Sequence, residues 1–376
     1  MKKILLIITS LLISNFIFSQ CNGRYQEEIF SSVSVTTVNY SDVYTDNAHT
    51  MDIYTPDGDT EINRPVILYM HGGSFTAGDK STSDCIDFCE SFAKRGYVTA
   101  SLNYRLAIDI ISFLTSNEMQ YETVLKAVSD AKAAVRYFRK DFANGDTYGI
   151  DPNTIFAGGY SAGAVTAIHH AYIDTITDLP SSVTDNDGSS FNVQDIVNNV
   201  GGGYGLEGDA GNYGYSSELS GVISFAGGIN DVSWIDSNDE PLVSAQGTND
   251  ATVSYNCGPG LNSSLVLTLC GSAEMHPQAN LVGVINDKLI FTGEGHGWAA
   301  SGDGNPKFIQ AVDFTSDFLF PLLPCNSTTD ITEISQKERK LIKIVDVLGR
   351  VSSVITNNPL LYIYSDGSVE HKIIIK

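Results

Sequence analysis

The stretch "FAGGYSAGAV", residues 156–165, decides the fold, because it places the pattern G-x-S-x-G around Ser161. The preceding residues, "TIFA", form an apolar run of the kind found in buried strands. The alanine-rich run that follows, "AVTAIHHAYIDT", favours a helix. Gly159 and Gly163 permit a turn too tight for larger neighbours. Strand, tight turn and helix form the context in which this motif presents a nucleophilic serine, and a serine in an ordinary turn is the alternative.

Apolar runs alternate with helical patterns along most of the chain. Two antiparallel strands are predicted within 34–55, where apolar and polar residues alternate. Further strands are predicted at 65–73, 97–106, 221–228, 241–247 and 288–297. Helices are predicted at 83–96, 115–140 and 308–323. In the second of them, Thr115 and Glu118 are predicted to form a capping box. The alternation predicts an α/β fold with a mainly parallel central sheet flanked by helices, within a domain of residues 21–325.

Residues 176–218 interrupt this alternation, since they are rich in Ser, Asn, Asp and Gly. One helix is predicted at 191–200. The stretch "GYGLEG", 203–208, matches G-x-G-x-x-G, but it lacks the preceding strand and following helix of a dinucleotide site. Because the segment directly follows the helix after Ser161, we interpret it as a lid-like insertion over the site.

The N-terminal residues 1–20, "MKKILLIITSLLISNFIFSQ", combine two lysines, an apolar stretch and a polar end, which predicts a cleaved signal peptide. The alternative is an uncleaved membrane anchor, although polar residues interrupt the run. Phe18, Ser19 and Gln20 match the small-residue box of a lipoprotein poorly, despite the cysteine that follows. No later segment is apolar enough to predict a membrane span. The sequence therefore predicts an exported protein.

Six cysteines remain after such cleavage, an even number that favours disulfides in an exported protein. Proximity favours a Cys257–Cys270 bond, whereas Cys85 and Cys89 lie one helical turn apart, an awkward separation for a bond. No C-x-x-C pair is present, so a structural zinc site is not predicted.

With 44 acidic and 22 basic residues the formal charge is −22, which disfavours nucleic acid as a partner.

A nucleophilic serine needs a base and an acid that orients the base. His296 lies in the glycine-flanked turn "GEGHGW" just past the last predicted strand. Asp250, in "GTNDATVSY", follows an earlier strand. Loops at the carboxyl edge of a parallel sheet are where α/β sites assemble. Ser161, Asp250 and His296 are therefore the predicted triad. The acidic alternatives are Asp231, Asp236, Asp239 and Glu294.

The sequence "HGGSF", 71–75, ends a predicted strand and supplies candidate donors for an oxyanion. Glycine lets the backbone approach a substrate closely, so N–H groups of this turn can bind an oxyanion. Gly72 supports the turn, and the N–H of Ala162, after the nucleophile, completes the predicted oxyanion hole.

The chain resembles the α/β-hydrolase carboxylesterases of the H-G-G-G type, which include hormone-sensitive-lipase-like and carboxylesterase-like enzymes. The resembling stretches are "YMHGGSF", "GYVTASLNYRL", "DAKAAVRYFR", "IDPNTIFAGGYSAGA", "GTNDATVSY" and "GHGW". The resemblance implies an α/β-hydrolase fold and a triad of Ser161, Asp250 and His296. It also implies that the N–H groups of Gly73, Ser74 and Ala162 bind the oxyanion. Ser74 stands where the third glycine usually lies, which leaves its N–H available.

The amino-acid composition changes again near the C-terminus, and a polar linker is predicted at 326–334. Residues 335–376 resemble the C-terminal sorting domain of the type IX secretion system in "KIVDVLGR", "LLYIYSDG" and the terminal "KIIIK". This resemblance implies a small β domain read by secretion machinery, and export through the periplasm to the surface or medium. An independent β-module that binds a ligand is the alternative.

These observations together predict a secreted serine hydrolase of carboxylic esters that needs no metal or cofactor. The expected substrates are small-molecule or polymer-linked esters, including acetyl or hydroxycinnamoyl groups on polysaccharide and simple alkyl esters. Two alternatives remain, a serine peptidase of the same fold and a non-catalytic adhesion module on a hydrolase scaffold.

Overall fold

The structure, a computed structural model, describes residues 21, 23–324, 341–346, 359–364 and 369–373. The predicted signal peptide, 1–20, and the predicted linker, 326–334, lie outside these residues. The chain divides into two units, Met1–Asn326 and Ser327–Lys376. The boundary therefore falls where the sequence changes composition.

The strands of the described residues are, in chain order, β1 (Val33–Asn39), β2 (Thr50–Pro56), β3 (Arg64–Met70), β4 (Val98–Leu102), β5 (Ile150–Tyr160), β6 (Ser182–Thr184), β7 (Ser190–Asn192), β8 (Val222–Phe225), β9 (Leu242–Gly247), β10 (Cys257–Pro259), β11 (Thr268–Cys270), β12 (Asn286–Phe291), β13 (Leu341–Asp346), β14 (Pro359–Tyr364) and β15 (Val369–Ile373). The helices are α1 (Ser83–Lys94), α2 (Ile110–Thr115), α3 (Asn117–Ala143), α4 (Ala162–Tyr172), α5 (Val193–Gly201), α6 (Ser272–Val282) and α7 (Pro306–Leu319). None of these described helices is both long and apolar enough to cross a bilayer.

The central sheet has the strand order β1-β2-β4-β3-β5-β8-β9-β12. Strand β2 pairs antiparallel with β1 and with β4, and every other neighbouring pair is parallel. The predicted α/β-hydrolase class, a mainly parallel sheet flanked by helices, is confirmed. The order places β5, the strand before Ser161, in the middle of the sheet.

Both faces of the sheet are covered, as the continuous apolar run of β3 requires. Side chains alternate along the strand, so Val66, Leu68 and Met70 pack in the layer that contains α3 and α4. Ile67 and Tyr69 pack in the opposite layer, which contains α1 and α7. All seven residues of β3 are buried. The nucleophile turn thus sits on strands held by packing from both sides.

The helix start predicted at Thr115 is wrong. A separate short helix, α2, ends at this residue, and the Thr115 hydroxyl donates to the carbonyl oxygen of Ile111 at 2.8 Å. The cap of α3 is Ser116, whose hydroxyl accepts from the N–H of Met119. Burial of Phe113 in the core holds α2 as its own element, a tertiary contact that local periodicity does not reveal.

The cysteines divide into bonded and free groups. The predicted Cys257–Cys270 disulfide is present and joins the paired strands β10 and β11. Cys21 is also disulfide-bonded. Cys85 and Cys89 are free and fully buried on α1, so the expectation of disulfides fails for them. Burial raises the pKa of both thiols well above the ordinary value, which keeps them protonated and inert.

The described residues of the second unit form a three-stranded antiparallel sheet in the order β13-β14-β15. Val345, Leu360 and Tyr362 are buried. A small β domain is thus present where one was predicted, and its role in secretion stays a prediction.

Candidate active site

Ser161 occupies a strained turn between β5 and α4. Its φ of 56° and ψ of −118° lie outside the regions that most residues adopt. Its N–H donates to the carbonyl oxygen of Phe225 at 2.8 Å, which ties the turn to the adjacent strand β8. A Cβ atom added at Gly159 or Gly163 would overlap the carbonyl oxygen of Met70. Both glycines are therefore required by close approach of the backbone, as the sequence motif predicted.

The structure brings the three predicted triad residues into contact. Nε2 of His296 lies 2.7 Å from Oγ of Ser161, and Nδ1 of His296 lies 2.7 Å from Oδ2 of Asp250. These residues follow β12, β5 and β9, whose carboxyl ends meet at one edge of the sheet. With Nδ1–H donating to Asp250, Nε2 is free to accept the proton of the Ser161 hydroxyl.

The carboxylate of Asp250 is fully buried. Its Oδ1 accepts from the N–H groups of Thr252 and Val253, both at 2.9 Å.

The acidic residues considered as alternatives to Asp250 form other contacts. Asp231 caps a short turn, where it accepts from the N–H of Ser233, and Glu294 pairs with a lysine of α7. Asp236 and Asp239 bond within their own turn. Among the described residues, no three or more His, Cys, Asp or Glu side chains are arranged to hold a metal ion.

The turn 71–75 faces the nucleophile with an unusual backbone. Gly73, Ser74 and Phe75 have φ values of 122°, 54° and 59°, three consecutive residues in the left-handed region. A Cβ at Gly73 would overlap the carbonyl oxygen of Ala77, so only glycine fits there. In the described part of the chain, no protein acceptor takes the N–H of Gly73, Ser74 or Ala162. The N–H groups predicted to bind the oxyanion thus lie beside Ser161 without a described protein acceptor.

Tyr104, in the motif "LNYRL", holds this turn and was missed in the sequence. Its hydroxyl donates to the carbonyl oxygen of His71 at 2.7 Å, and its ring stacks on the imidazole with centroids 4.4 Å apart. Nδ1 of His71 in turn donates to the carbonyl oxygen of Gly72 at 2.6 Å. Burial lowers the pKa of His71, so the imidazole is neutral at pH 7. The only signal in the sequence was a tyrosine near the end of the strand predicted at 97–106, and that position does not specify a partner.

A pocket opens beside Ser161, Ser74 and Ala162 and is mainly apolar. Its lining contains no residue of 176–218, although Asn186 of that segment donates to the carbonyl oxygen of Leu265 at 2.9 Å, so a lid role for the segment stays a prediction. That segment forms the β6–β7 hairpin and α5, the latter close to the helix predicted at 191–200. It packs against α3, where Glu207 pairs with Arg136 at 2.6 Å. The pocket is instead walled by residues 252–269, which follow Asp250 in sequence.

Comparison with known proteins groups this chain with esterases. The BD-FAE family model matches residues 51–265. A truncated carbohydrate esterase from gut microbiota matches with a TM-score of 0.52 and 19% identity, over 79% of this chain and 98% of that one. The propionate-bound esterase 2 of Thermogutta terrifontis gives 0.52 and 21%, over 79% and 96%. These two likenesses establish the fold.

Two curated relatives match shorter stretches. Gut esterase 1 of Caenorhabditis elegans is 30% identical over 102 residues, 27% of this chain and 17% of that protein. Esterase B1 of Culex pipiens is 31% identical over 116 residues, 31% of this chain and 20% of that protein. The matched stretch therefore spans a fifth or less of each relative.

Proposed function

The chain belongs to the BD-FAE family, and we propose that it hydrolyses carboxylic esters through Ser161. The observation that carries the proposal is the chain of contacts from Asp250 through His296 to Ser161, each 2.7 Å long. The esterase names of the relatives support the same class. The apolar pocket beside the serine supplies room for an acyl group.

Hydrolysis proceeds in two acyl transfers. His296 removes the proton of Ser161 as Oγ attacks the ester carbonyl carbon, and the carbonyl oxygen becomes an oxyanion. The N–H groups of Gly73, Ser74 and Ala162 bind that oxygen, and each such donor contributes about 10²–10³ in rate. Collapse breaks the bond to the alcohol oxygen, which takes the proton from His296. Water, deprotonated by His296, then attacks the acyl-enzyme, releases the acid and restores the Ser161 hydroxyl.

The substrate class and location are part of the proposal. A signal peptide at 1–20 and a sorting domain at 335–376 would place the enzyme at the cell surface or in the medium. Esters linked to polymers are then within its reach, including acetyl or hydroxycinnamoyl groups on polysaccharide, besides small alkyl esters. One structural neighbour is described as a carbohydrate esterase, which supports esters of carbohydrates as substrates.

The test is hydrolysis of p-nitrophenyl acetate by wild type, Ser161→Ala and a matched control, Ser189→Ala. Ser189 lies in the exposed β6–β7 turn, where it bonds Asp187. We expect Ser161→Ala to lose activity by about 10⁴-fold or more and Ser189→Ala to match wild type. Equal rates for all three proteins would end the proposal. A fluorophosphonate probe should label wild type and leave Ser161→Ala unlabelled, whereas an adhesion module would not react.

A further inference from the structure

A second groove lies away from the catalytic residues and is formed by Arg136 of α3, Tyr204, Glu207 and residues 213–218. We call it the Tyr204 groove. It shares no lining residue with the pocket beside Ser161. Along α3, Gln120 of that pocket and Arg136 are sixteen residues apart, which corresponds to about 24 Å of helix. A ligand can therefore occupy the Tyr204 groove without contacting the catalytic site.

Tyr204 presents an aromatic face to this groove. It lies in the glycine-rich stretch 203–208, and its neighbours Gly203 and Gly205 have φ values of 98° and 60°, which favour glycine. The ring stacks on Tyr213, with centroids 3.5 Å apart and planes inclined by 10°. Tyr204 is nevertheless 52% exposed. Because Tyr213 covers one face of the ring, the opposite face is open to solvent.

Tyr213 is held in place, so the stacked pair forms a rigid surface. Its hydroxyl donates to the carbonyl oxygen of Gly208 at 3.2 Å. The guanidinium carbon of Arg136, a residue only 1% exposed, lies 5.5 Å from the centroid of the Tyr213 ring. A preorganised aromatic surface binds a ligand with little further loss of side-chain entropy. The open face of Tyr204 is thus suited to stack against a flat face of C–H groups.

The charged groups of the groove disfavour an anionic ligand. Arg136 is the only cationic side chain in this lining of described residues, and each of its nitrogens already donates within the protein. Nε donates to the carbonyl oxygen of Gly211 at 2.9 Å, whereas Nη1 and Nη2 donate to the carboxylate and the carbonyl oxygen of Glu207 at 2.6 and 3.2 Å. An anion would therefore meet carboxylates without a free cation.

Glu218 supplies an acceptor at the edge of the groove. The residue is exposed, and its carboxylate has no hydrogen bond or ion pair with another described residue. An ionised carboxylate accepts hydrogen bonds and donates none. The lining thus combines an open aromatic face with an acceptor for hydroxyl groups.

We propose that the Tyr204 groove is a carbohydrate-binding site for neutral oligosaccharides and polysaccharide chains, separate from the catalytic site. A pyranose ring has faces of C–H groups, which stack on Tyr204, and a rim of hydroxyl groups, which donate to Glu218. This inference goes beyond the proposed ester hydrolysis, since binding in the groove does not depend on Ser161. For a polysaccharide-linked ester, the site would hold the polymer on the enzyme.

The experiment measures the binding of xylohexaose and cellohexaose, two neutral oligosaccharides, to the full chain by isothermal titration calorimetry. Wild type is compared with Tyr204→Ala and Phe142→Ala. Phe142 is the matched control, because it is an aromatic residue of α3 that is 40% exposed and lies outside the groove lining. We expect wild type and Phe142→Ala to bind one or both oligosaccharides equally well, and Tyr204→Ala to bind about tenfold more weakly.

Tyr204→Trp separates the loss of stacking from a disturbed loop. It keeps an aromatic face and should retain the affinity of wild type. All of these variants should hydrolyse p-nitrophenyl acetate with the kcat/KM of wild type, because the groove contains no catalytic residue. Weak binding by Tyr204→Trp as well as by Tyr204→Ala would contradict stacking as the interaction.

Two charged ligands test the alternatives. Hexagalacturonate, an acidic oligosaccharide, should bind at least about tenfold more weakly than the neutral ones, because it meets carboxylates. Tetramethylammonium tests a cation site, since tyrosine faces and carboxylates also attract cations. Tighter binding of either charged ligand than of both neutral oligosaccharides would overturn the inference.

Two further results would also overturn it: no binding of either neutral oligosaccharide by wild type up to about 10 mM, or equal affinities for wild type and Tyr204→Ala. Loss of ester hydrolysis is a different outcome. If wild type bound the oligosaccharides but did not hydrolyse p-nitrophenyl acetate, the proposed function would be refuted and the carbohydrate site would stand.

Discussion

The hydroxyl of Tyr160 donates to the backbone carbonyl oxygen of His296 at 3.0 Å, and the two rings stack with centroids 5.2 Å apart. Tyr160 directly precedes Ser161, so the residue next to the nucleophile fixes the loop that carries the base. Burial raises the pKa of the Tyr160 phenol well above its ordinary value, which keeps the hydroxyl protonated as a donor. Tyr160, the residue between Gly159 and Ser161 in the motif, thus positions the loop that carries His296.

Tyr160→Phe should keep the stacking and lose only the hydrogen bond. A neutral hydrogen bond contributes about 0.5–1.5 kcal/mol, so we expect kcat to fall by about 2–12-fold with KM nearly constant. Tyr160→Ala should lose more, because the ring is also removed. Steady-state kinetics on p-nitrophenyl acetate check this. Tyr204→Phe, at a tyrosine 52% exposed, is the control. A rise in KM at constant kcat would contradict a positioning role.

Asp250→Asn should lower kcat by about 10⁴-fold, because an amide can hold the imidazole in the wrong tautomer. The paired control is Asp231→Asn, at an acidic residue that only caps a turn. We expect that control to retain wild-type kcat. If both variants retained activity, Asp250 would not be the orienting acid.

Gly163→Ala should destabilise the fold, since the new methyl group would overlap the carbonyl oxygen of Met70. Overpacking at such a contact costs about 1–3 kcal/mol in the free energy of unfolding. Gly201→Ala is the matched change, because its Cβ would meet nothing within 4 Å at the end of α5. Urea titration followed by circular dichroism measures both. Equal stability of the two variants would show that the turn has more room than the structure gives it.

Stability should also depend on the carboxyl of Glu240. Burial, together with the charges of Asp174 and Asp239, raises its pKa to about 7. Since the pKa of an unfolded glutamate is about 4.3, the folded state binds more protons between these values, and stability falls as the pH rises from about 4 to 7. Glu240→Gln cannot titrate and should lose less stability over that window.

Urea denaturation of wild type and Glu240→Gln at pH 5 and pH 8 checks this dependence. Relative to wild type, the free energy of unfolding of Glu240→Gln should be higher at pH 8 than at pH 5. Glu274→Gln, at an exposed residue, should have the same stability as wild type at both pH values. A stability difference between Glu240→Gln and wild type that is the same at both pH values would contradict the assignment.

Local sequence was sufficient for the elements that define the site. The apolar run into Gly159 predicted β5, and the glycines predicted the turn because backbone sterics act between near neighbours. Strand ends also favoured Ser161, Asp250 and His296, but other acidic residues after strands stayed open as alternatives, and the contact between His296 and Asp250 decides among them. The sequence did not reveal that Tyr160 and Tyr104 bond carbonyl oxygens at the base and the oxyanion turn. Neither contact has a local pattern, since each joins segments far apart in the chain.

The sequence by itself determined the alternation of strands and helices, the elbow at Ser161 and the close pairing of Cys257 with Cys270. The tertiary structure alone decided which loop lines the pocket. Residues 252–269 form part of its wall, whereas ion pairs hold the polar segment 176–218 against α3, and a lid role for that segment stays a prediction. Composition and chain order predict whether a loop is solvated and which elements it connects. Its position on the fold depends on contacts with residues that are distant in the sequence, and these contacts form only in the tertiary structure.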